Sequence, residues 1–222
     1  MALEFVDLYN KVAEQAWSMY DADAESVEDF ETGLKSSINK ALTELWCSYE
    51  FPFRVKKYTI KTKVGVNSYN MPTGNIYKKS VNGEKVYSVK IDKDYLEYAD
   101  NLDTIELQNG IPTQFEVYND KFLVNTNPDD VYTIVIEYLE LAIGKNADGD
   151  KIYELAEDDD YIEVPEKLEK LFKNALITKS MLYAIADKTD ENYAGYLEQY
   201  ENAYKTLVSY SIGIEKDKRI II

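Results

Sequence analysis

The sequence predicts an α+β fold: a helical bundle built from N- and C-terminal helices, an inserted antiparallel β sandwich or barrel, and an extended C-terminal tail. Three observations predict it. Apolar residues recur at three- and four-residue spacing near both ends of the chain. The middle switches to alternation with a period of two, punctuated by turn residues. Strand and helix patterns do not alternate, which argues against an α/β sheet. The expected divisions are 1–52 for the first helices, 53–143 for the β domain, 144–163 for an acidic loop, 164–212 for the last helices and 213–222 for the tail.

The elements follow in order. Phe5, Leu8, Tyr9, Val12, Ala13, Ala16 and Trp17 form one helical stripe, broken by Asp21 to Glu25. Ser26, three residues before Asp29, is a weak relative of the capping box. Phe30, Leu34, Ile38, Ala41, Leu42, Leu45, Trp46 and Tyr49 make a second amphipathic stripe, which Pro52 ends. Between Arg54 and Val64 the residues Tyr58, Ile60, Thr62 and Val64 share one strand face, and Lys57, Thr59, Lys61 and Lys63 the other. Lysines on an outer face also oppose edge-to-edge aggregation. Asn82-Gly83, between Ile76–Val81 and Lys85–Ile91, accepts the positive φ angles of a type I′ hairpin turn. A second hairpin joins Thr113–Tyr118 to Phe122–Thr126 through Asn119-Asp120. After a turn at Pro128-Asp129-Asp130, Val131–Leu139 is apolar on both faces and is expected to be a central strand. Pro165 suits the first position of a helix whose stripe is Leu168, Leu171, Phe172, Ala175, Leu176, Leu182, Tyr183 and Ile185. Thr189-Asp190-Glu191 opens the last helix, with Tyr193, Tyr196, Leu197, Tyr200, Ala203, Tyr204, Leu207 and Val208, and Gly213 is expected to stop it.

Composition narrows the chemistry. The 222 residues carry 41 acids and 25 bases, a net charge of −16, with no histidine and a single cysteine, Cys47. Ser-His-Asp and Cys-His machinery is therefore excluded, as are His-containing and multi-Cys zinc sites. One cysteine makes no internal disulfide. The acidic balance argues against a general nucleic-acid coat, which needs clustered lysine and arginine. Met1 to Asp7 lacks a basic stretch, so no signal peptide is expected. No apolar run approaches the roughly 20 residues of a membrane span. There is no Gly-rich phosphate loop, and no carboxylate pair stands out among so many acids. The loop from Asn146 to Glu157 places oxygen ligands at five positions of a calcium-binding EF-hand, but Lys151 stands where that loop needs glycine. It reads as a solvated acidic loop. The expectation is a protein that is not an enzyme and holds no cofactor or metal.

Charge is segregated along the chain. Residues 1–50 hold 11 acids and 3 bases, 51–91 hold 9 bases and 1 acid, 92–163 hold 20 acids and 4 bases, and 164–222 hold 9 of each. Either the basic stretch neutralises its neighbours in the fold, or it docks other copies or partners by complementarity. The 20 tyrosines exceed the needs of one core and suit wet interfaces. The end, Arg219-Ile220-Ile221-Ile222, would forgo about 2 kcal/mol of burial per isoleucine if left in water. It can fold back on its own subunit or add as a strand to a neighbour's sheet. Candidate partner-interface residues are therefore Lys57, Lys61, Lys63, Arg219, Ile220, Ile221 and Ile222.

Several stretches together resemble one family. They are Trp46-Cys-Ser-Tyr49-Glu-Phe51-Pro52, Gly65-Val-Asn-Ser68-Tyr69-Asn-Met71-Pro72, Gly110-Ile-Pro112-Thr-Gln-Phe115, Pro128-Asp-Asp130-Val-Tyr132 through Tyr138, Val164-Pro165-Glu166, and the tyrosine-rich run from Tyr193 to Tyr204. Over roughly residues 26–210 the chain resembles the head-to-tail adaptor, or connector ring, proteins of short-tailed bacteriophages, the group that includes tail tubular protein A. It departs from them in the acidic loop, the basic first strands and the Ile-rich end. Its Lys, Tyr and Asn bias suits a crAss-like gut phage. The resemblance implies a ring, typically of twelve copies, assembled in the host cytoplasm and sited in the neck of the virion. Its partners would be a portal protein and tail or further ring proteins, with DNA only as passing cargo and no membrane. The helices would meet the portal, the β block would face the tail, and the C-terminal segment would reach into the portal or an adjacent subunit. Two other classes remain open: a carbohydrate- or host-surface-binding module using exposed tyrosines, and an acidic DNA-mimic inhibitor, whose acidic rows the basic block would interrupt.

Overall fold

The computed structural model describes residues 2–17, 27–81, 84–102, 107–185 and 189–219. In chain order its elements begin with β1 (Ala2–Glu4), α1 (Phe5–Trp17) and α2 (Val27–Ser48), then a short 3-10 turn at Pro52–Arg54. There follow β2 (Val55–Lys61), β3 (Ser68–Asn70), β4 (Gly74–Ile76), β5 (Lys78–Val81), β6 (Glu84–Tyr87), β7 (Val89–Ile91), β8 (Asp94–Tyr95) and β9 (Glu97–Tyr98). Next come β10 (Gln108–Asn109), β11 (Gln114–Tyr118), β12 (Lys121–Val124), β13 (Thr126–Asn127) and β14 (Thr133–Glu140). Last are β15 (Gly144–Lys145), β16 (Lys151–Ile152), β17 (Tyr161–Glu163), α3 (Glu166–Ala184) and α4 (Glu191–Arg219). The architecture is α+β, as the sequence predicts. The chain divides into two compact units: a helical unit, Met1–Phe53 with Ala142–Ile222, and a β unit, Arg54–Leu141.

In the helical unit the apolar stripes close on one another. Phe5, Leu8, Val12 and Ala16 of α1, Leu34, Ile38, Leu42 and Leu45 of α2, Phe172 and Leu176 of α3, and Leu207 of α4 enter one core. Recurrence at three and four residues places each set on one helix face, and burying that face is what stabilises the helix. Where α2 ends, four rings interlock. Phe51 and Phe53 stack at 5.3 Å, and Phe172 meets Trp46 edge-on at 6.1 Å and Phe51 at 6.0 Å. Pro165 stands just ahead of α3 in extended backbone rather than inside its first turn, and its carbonyl accepts the N–H of Leu168 at 2.8 Å.

Two expectations are corrected here. The run 144–163 is not a plain acidic loop: β15, β16 and β17 join β1 in an antiparallel sheet of order β1-β17-β15-β16. Ile143, Leu155, Ile162 and Val164, dispersed among the acids, are the residues that enter the core and hold this ribbon down. Asn39 of α2 clamps it by donating to the Leu155 carbonyl at 2.8 Å and accepting the Leu155 N–H at 2.9 Å. Asn146, the first position of the calcium-like loop, accepts the Asp150 N–H at 2.8 Å in a tight turn. Second, α4 does not stop at Gly213 but continues to Arg219, so the extended tail expected from 213 is helical at least that far. Gly213 keeps a negative φ, and a glycine without the left-handed C′ geometry costs a helix about 1 kcal/mol without ending it. Ile220, Ile221 and Ile222 lie outside the described residues, as does Ser26 of the expected cap.

Asn39→Ala is expected to leave both Leu155 backbone groups unpartnered and to cost about 1–3 kcal/mol. Hydrogen exchange at the Leu155 amide should speed up while amides in α3 change little.

The β unit is a small sandwich. One sheet runs β2-β14-β7-β8, with β4 also on β14, and the other runs β3-β12-β11-β9. Ile60, Val89, Ile91, Ile134 and Ile136 of the first face Phe115, Phe122 and Val124 of the second in one core. β14 is central, with β2 along one edge and β7 and β4 along the other. Only one of its faces is fully buried, however, since Val135 and Glu137 are half-exposed on the other. The β11–β12 hairpin turns at Asn119 (φ 49°) and Asp120 (φ 58°), the left-handed pair a type I′ turn needs. β5 and β6 pair on either side of Asn82-Gly83, with Val81 opposite Glu84, and the two turn residues lie outside the described set. Not every pair is antiparallel: β9–β11 and β10–β13 are parallel. Both are two residues long, so turn chemistry did not announce them. Gly74 permits the close approach of β4, since a Cβ there would fall 2.5 Å from the Leu139 carbonyl. Val64, expected on the inner face, is exposed because β2 ends at Lys61 and Gly65 (φ 76°) turns the chain.

Candidate interaction surface

The register of β2 on β14 sets Lys57 opposite Glu137, Thr59 opposite Val135 and Lys61 opposite Thr133. Lys57 and Lys61 therefore share the outer face of the sheet, and both are exposed. Lys63 is also exposed but lies past the strand, where its backbone N–H donates to the Tyr69 hydroxyl at 3.2 Å. Arg219 is the last residue of α4, and the three isoleucines beyond it are not among the described residues. The structure thus brings together two of the seven candidate residues on one face, with a third beside them.

Three residues on this surface were missed from the sequence. Glu137 is the acid at its centre. The Lys79 ammonium pairs with its carboxylate, Ser88 Oγ donates to it at 2.7 Å, and Lys57 Nζ lies 3.8 Å away. Burial acts to raise the Glu137 pKa, but the hydrogen bonds from Lys79 and Ser88 and the charges of Lys79 and Lys57 together hold it below the usual glutamate value. On β7 the Lys90 ammonium lies over the Tyr95 ring at 4.3 Å. The sequence signal for Glu137 was its place as the one acid inside the apolar run Val131–Leu139. Nothing local pointed to Lys79 or Lys90.

Glu137→Gln is expected to lower stability at pH 7 by about 1 kcal/mol. A lowered carboxylate pKa stabilises the fold fully above the ordinary glutamate value and loses that contribution as pH falls through the lower folded value. The gap between wild type and variant should therefore close on acidification, as read from urea midpoints between pH 7 and pH 3.

A second feature of the β unit is an open groove of about 370 Å³ lined by Met71, Ile76, Tyr87, Tyr98, Phe115 and Val117. Its two tyrosine rings lie 5.2 Å apart, and Lys78 covers Tyr87 at 4.2 Å. A hydrogen bond to Asp100, then burial, raises the Tyr98 pKa.

The tyrosine stripe of α4 is packed rather than displayed. Tyr193, Tyr196, Tyr200 and Tyr204 are half-buried. Lys179 lies over Tyr200 at 4.7 Å and pairs with Glu44 at 3.0 Å. Burial first, then the neighbouring Tyr204 and Glu44, push the Tyr200 pKa up to about 12. Among the described residues no group of three His, Cys, Asp or Glu is placed to hold a metal ion, and no helix is long and apolar enough to cross a membrane.

Counted over the two units, the β unit carries 11 bases against 13 acids and the helical unit 14 against 28. The acidic stretch 92–163 is thus shared between them. The β unit is close to neutral in sum, yet it turns lysines to one sheet face. No known protein-family model matches the chain, and no curated protein does.

Proposed function

We propose that the chain is a structural, non-enzymatic adaptor subunit in the neck of a short-tailed bacteriophage virion. Copies would form a ring, twelve in the resemblance, between a portal protein and tail or further ring proteins, with DNA as cargo in the lumen. The observation that supports this reading is the separation of charge in the folded chain: a lysine-bearing sheet face on a near-neutral unit, and a second unit with twice as many acids as bases. Cyclic rings join unlike surfaces of successive copies. Complementary charge steers and registers such contacts, and an acidic lumen keeps DNA from sticking.

The test is assembly. Electron microscopy of the chain with and without a portal ring should show closed rings. Replacing Lys57, Lys61 and Lys63 together by alanine should weaken assembly most at low salt. The reading fails if the wild type remains a monomer in every mixture, or if the triple variant assembles identically at all ionic strengths.

One observation favours a second reading, a carbohydrate-binding module: the tyrosine-lined groove at Tyr87 and Tyr98 has rings on which a sugar could stack. Specific binding on a glycan array, lost in Tyr98→Ala, would support it over the adaptor.

A further inference from the structure

β2 is the edge strand of its sheet, and among the described residues it pairs only with β14. In an antiparallel pair alternate residues direct both backbone groups at the partner. The Thr62 N–H donates to the Tyr132 carbonyl at 2.9 Å, which sets the phase: Ile60, Tyr58 and Lys56 face β14. Val55, Lys57, Thr59 and Lys61 therefore turn their N–H and C=O groups the other way. Among the described residues no strand pairs with β2 on that side, and Lys57, Thr59 and Lys61 are exposed. Seven residues of strand span about 23 Å, more than the length of an ordinary strand pairing.

The side chains along this edge select the occupant. A second copy pairing β2 against β2 would set lysine near lysine on one face, which is destabilising. Carboxylates at alternate positions of an incoming strand would instead meet Lys57 and Lys61. Glu137, the acid already on this face, has Lys79 and Ser88 as closer partners than Lys57. We propose that β2 takes up an extended, carboxylate-bearing segment of a partner protein as an added edge strand, its acidic side chains aligned with Lys57 and Lys61. Backbone pairing supplies affinity in this mode and side chains supply selection. The inference does not depend on the ring reading, and it applies to any partner of that chemistry.

The experiment uses the full chain and three labelled seven-residue peptides: alternating Glu and Val, the same peptide N-methylated at every residue so that neither edge can donate, and alternating Lys and Val. Fluorescence anisotropy should show the first binding, with the other two at least tenfold weaker. Hydrogen exchange at the Lys57, Thr59 and Lys61 amides should slow when the first peptide is added, because the β2–β14 ladder does not use these outward amides. Thr59→Pro removes an N–H the β2–β14 ladder does not use, and proline is tolerated on such an edge, so the variant should fold and bind at least tenfold more weakly. If that variant fails to fold, the double reversal Lys57→Glu with Lys61→Glu decides, with loss of binding to the Glu-Val peptide expected. The inference is overturned if no peptide binds, if the N-methylated peptide binds as well as its parent, if exchange slows elsewhere but not at these amides, or if folded Thr59→Pro or the double reversal binds like wild type. Self-association of the chain through these same amides would also overturn it.

Discussion

Phe172→Ala is expected to remove about 3–5 kcal/mol from the stability of the helical unit. Phe172 is fully buried on α3 and touches three other rings: Trp46 of α2, and Phe51 and Phe53 of the connection that follows it. Truncation leaves a cavity among rings fixed by different elements, which cannot all move inward together. Both tryptophans of the chain, Trp17 and Trp46, belong to this unit, so tryptophan fluorescence during urea denaturation reports on it selectively. The midpoint should fall sharply. A loss below about 1 kcal/mol would mean that the four rings are not one packed cluster.

Phe115→Ala should do comparable damage in the β unit, again about 3–5 kcal/mol. The Phe115 ring is fully buried, stacks on Phe122 at 5.4 Å with 13° between planes, and meets Tyr87 and Tyr98 edge-on at 5.7 Å and 5.6 Å. It stands where the two sheets share their core. Its loss should accelerate amide exchange in β11 and β12 and, across the sandwich, in β14. Unchanged exchange in β14 would show that the sheets do not depend on this ring.

The legible parts of the fold were those where one local rule decides the outcome. Phe5, Leu8, Val12 and Ala16 were readable because helix geometry alone aligns them. The β11–β12 hairpin was readable because Asn119 and Asp120 tolerate left-handed backbone. The ribbon at 144–163 was not, because strands of two or three residues are too short for a period of two to emerge among so many acids. α4 outran its expected end because the presence of Gly213 does not dictate its φ. At the candidate surface, alternation found Lys57 and Lys61. It placed Lys63 on the strand because alternation carries no signal for where a strand stops. Glu137 escaped notice because Ser88, the hydroxyl that holds it, is 49 residues away in the chain.

The central position of β14 has a consequence for how the chain comes off the ribosome. β2 and β7 are completed at Lys61 and Ile91, yet the strand between them ends at Glu140. At about 5–20 residues per second, β2 waits several seconds with both edges uncovered. Asn39 waits longer still, since Leu155 follows it by 116 residues. Such non-local pairing makes for slow folding. Until β14 is made β2 has no partner within its own chain, and its lysines, repelling their counterparts, disfavour pairing with the same strand of another copy.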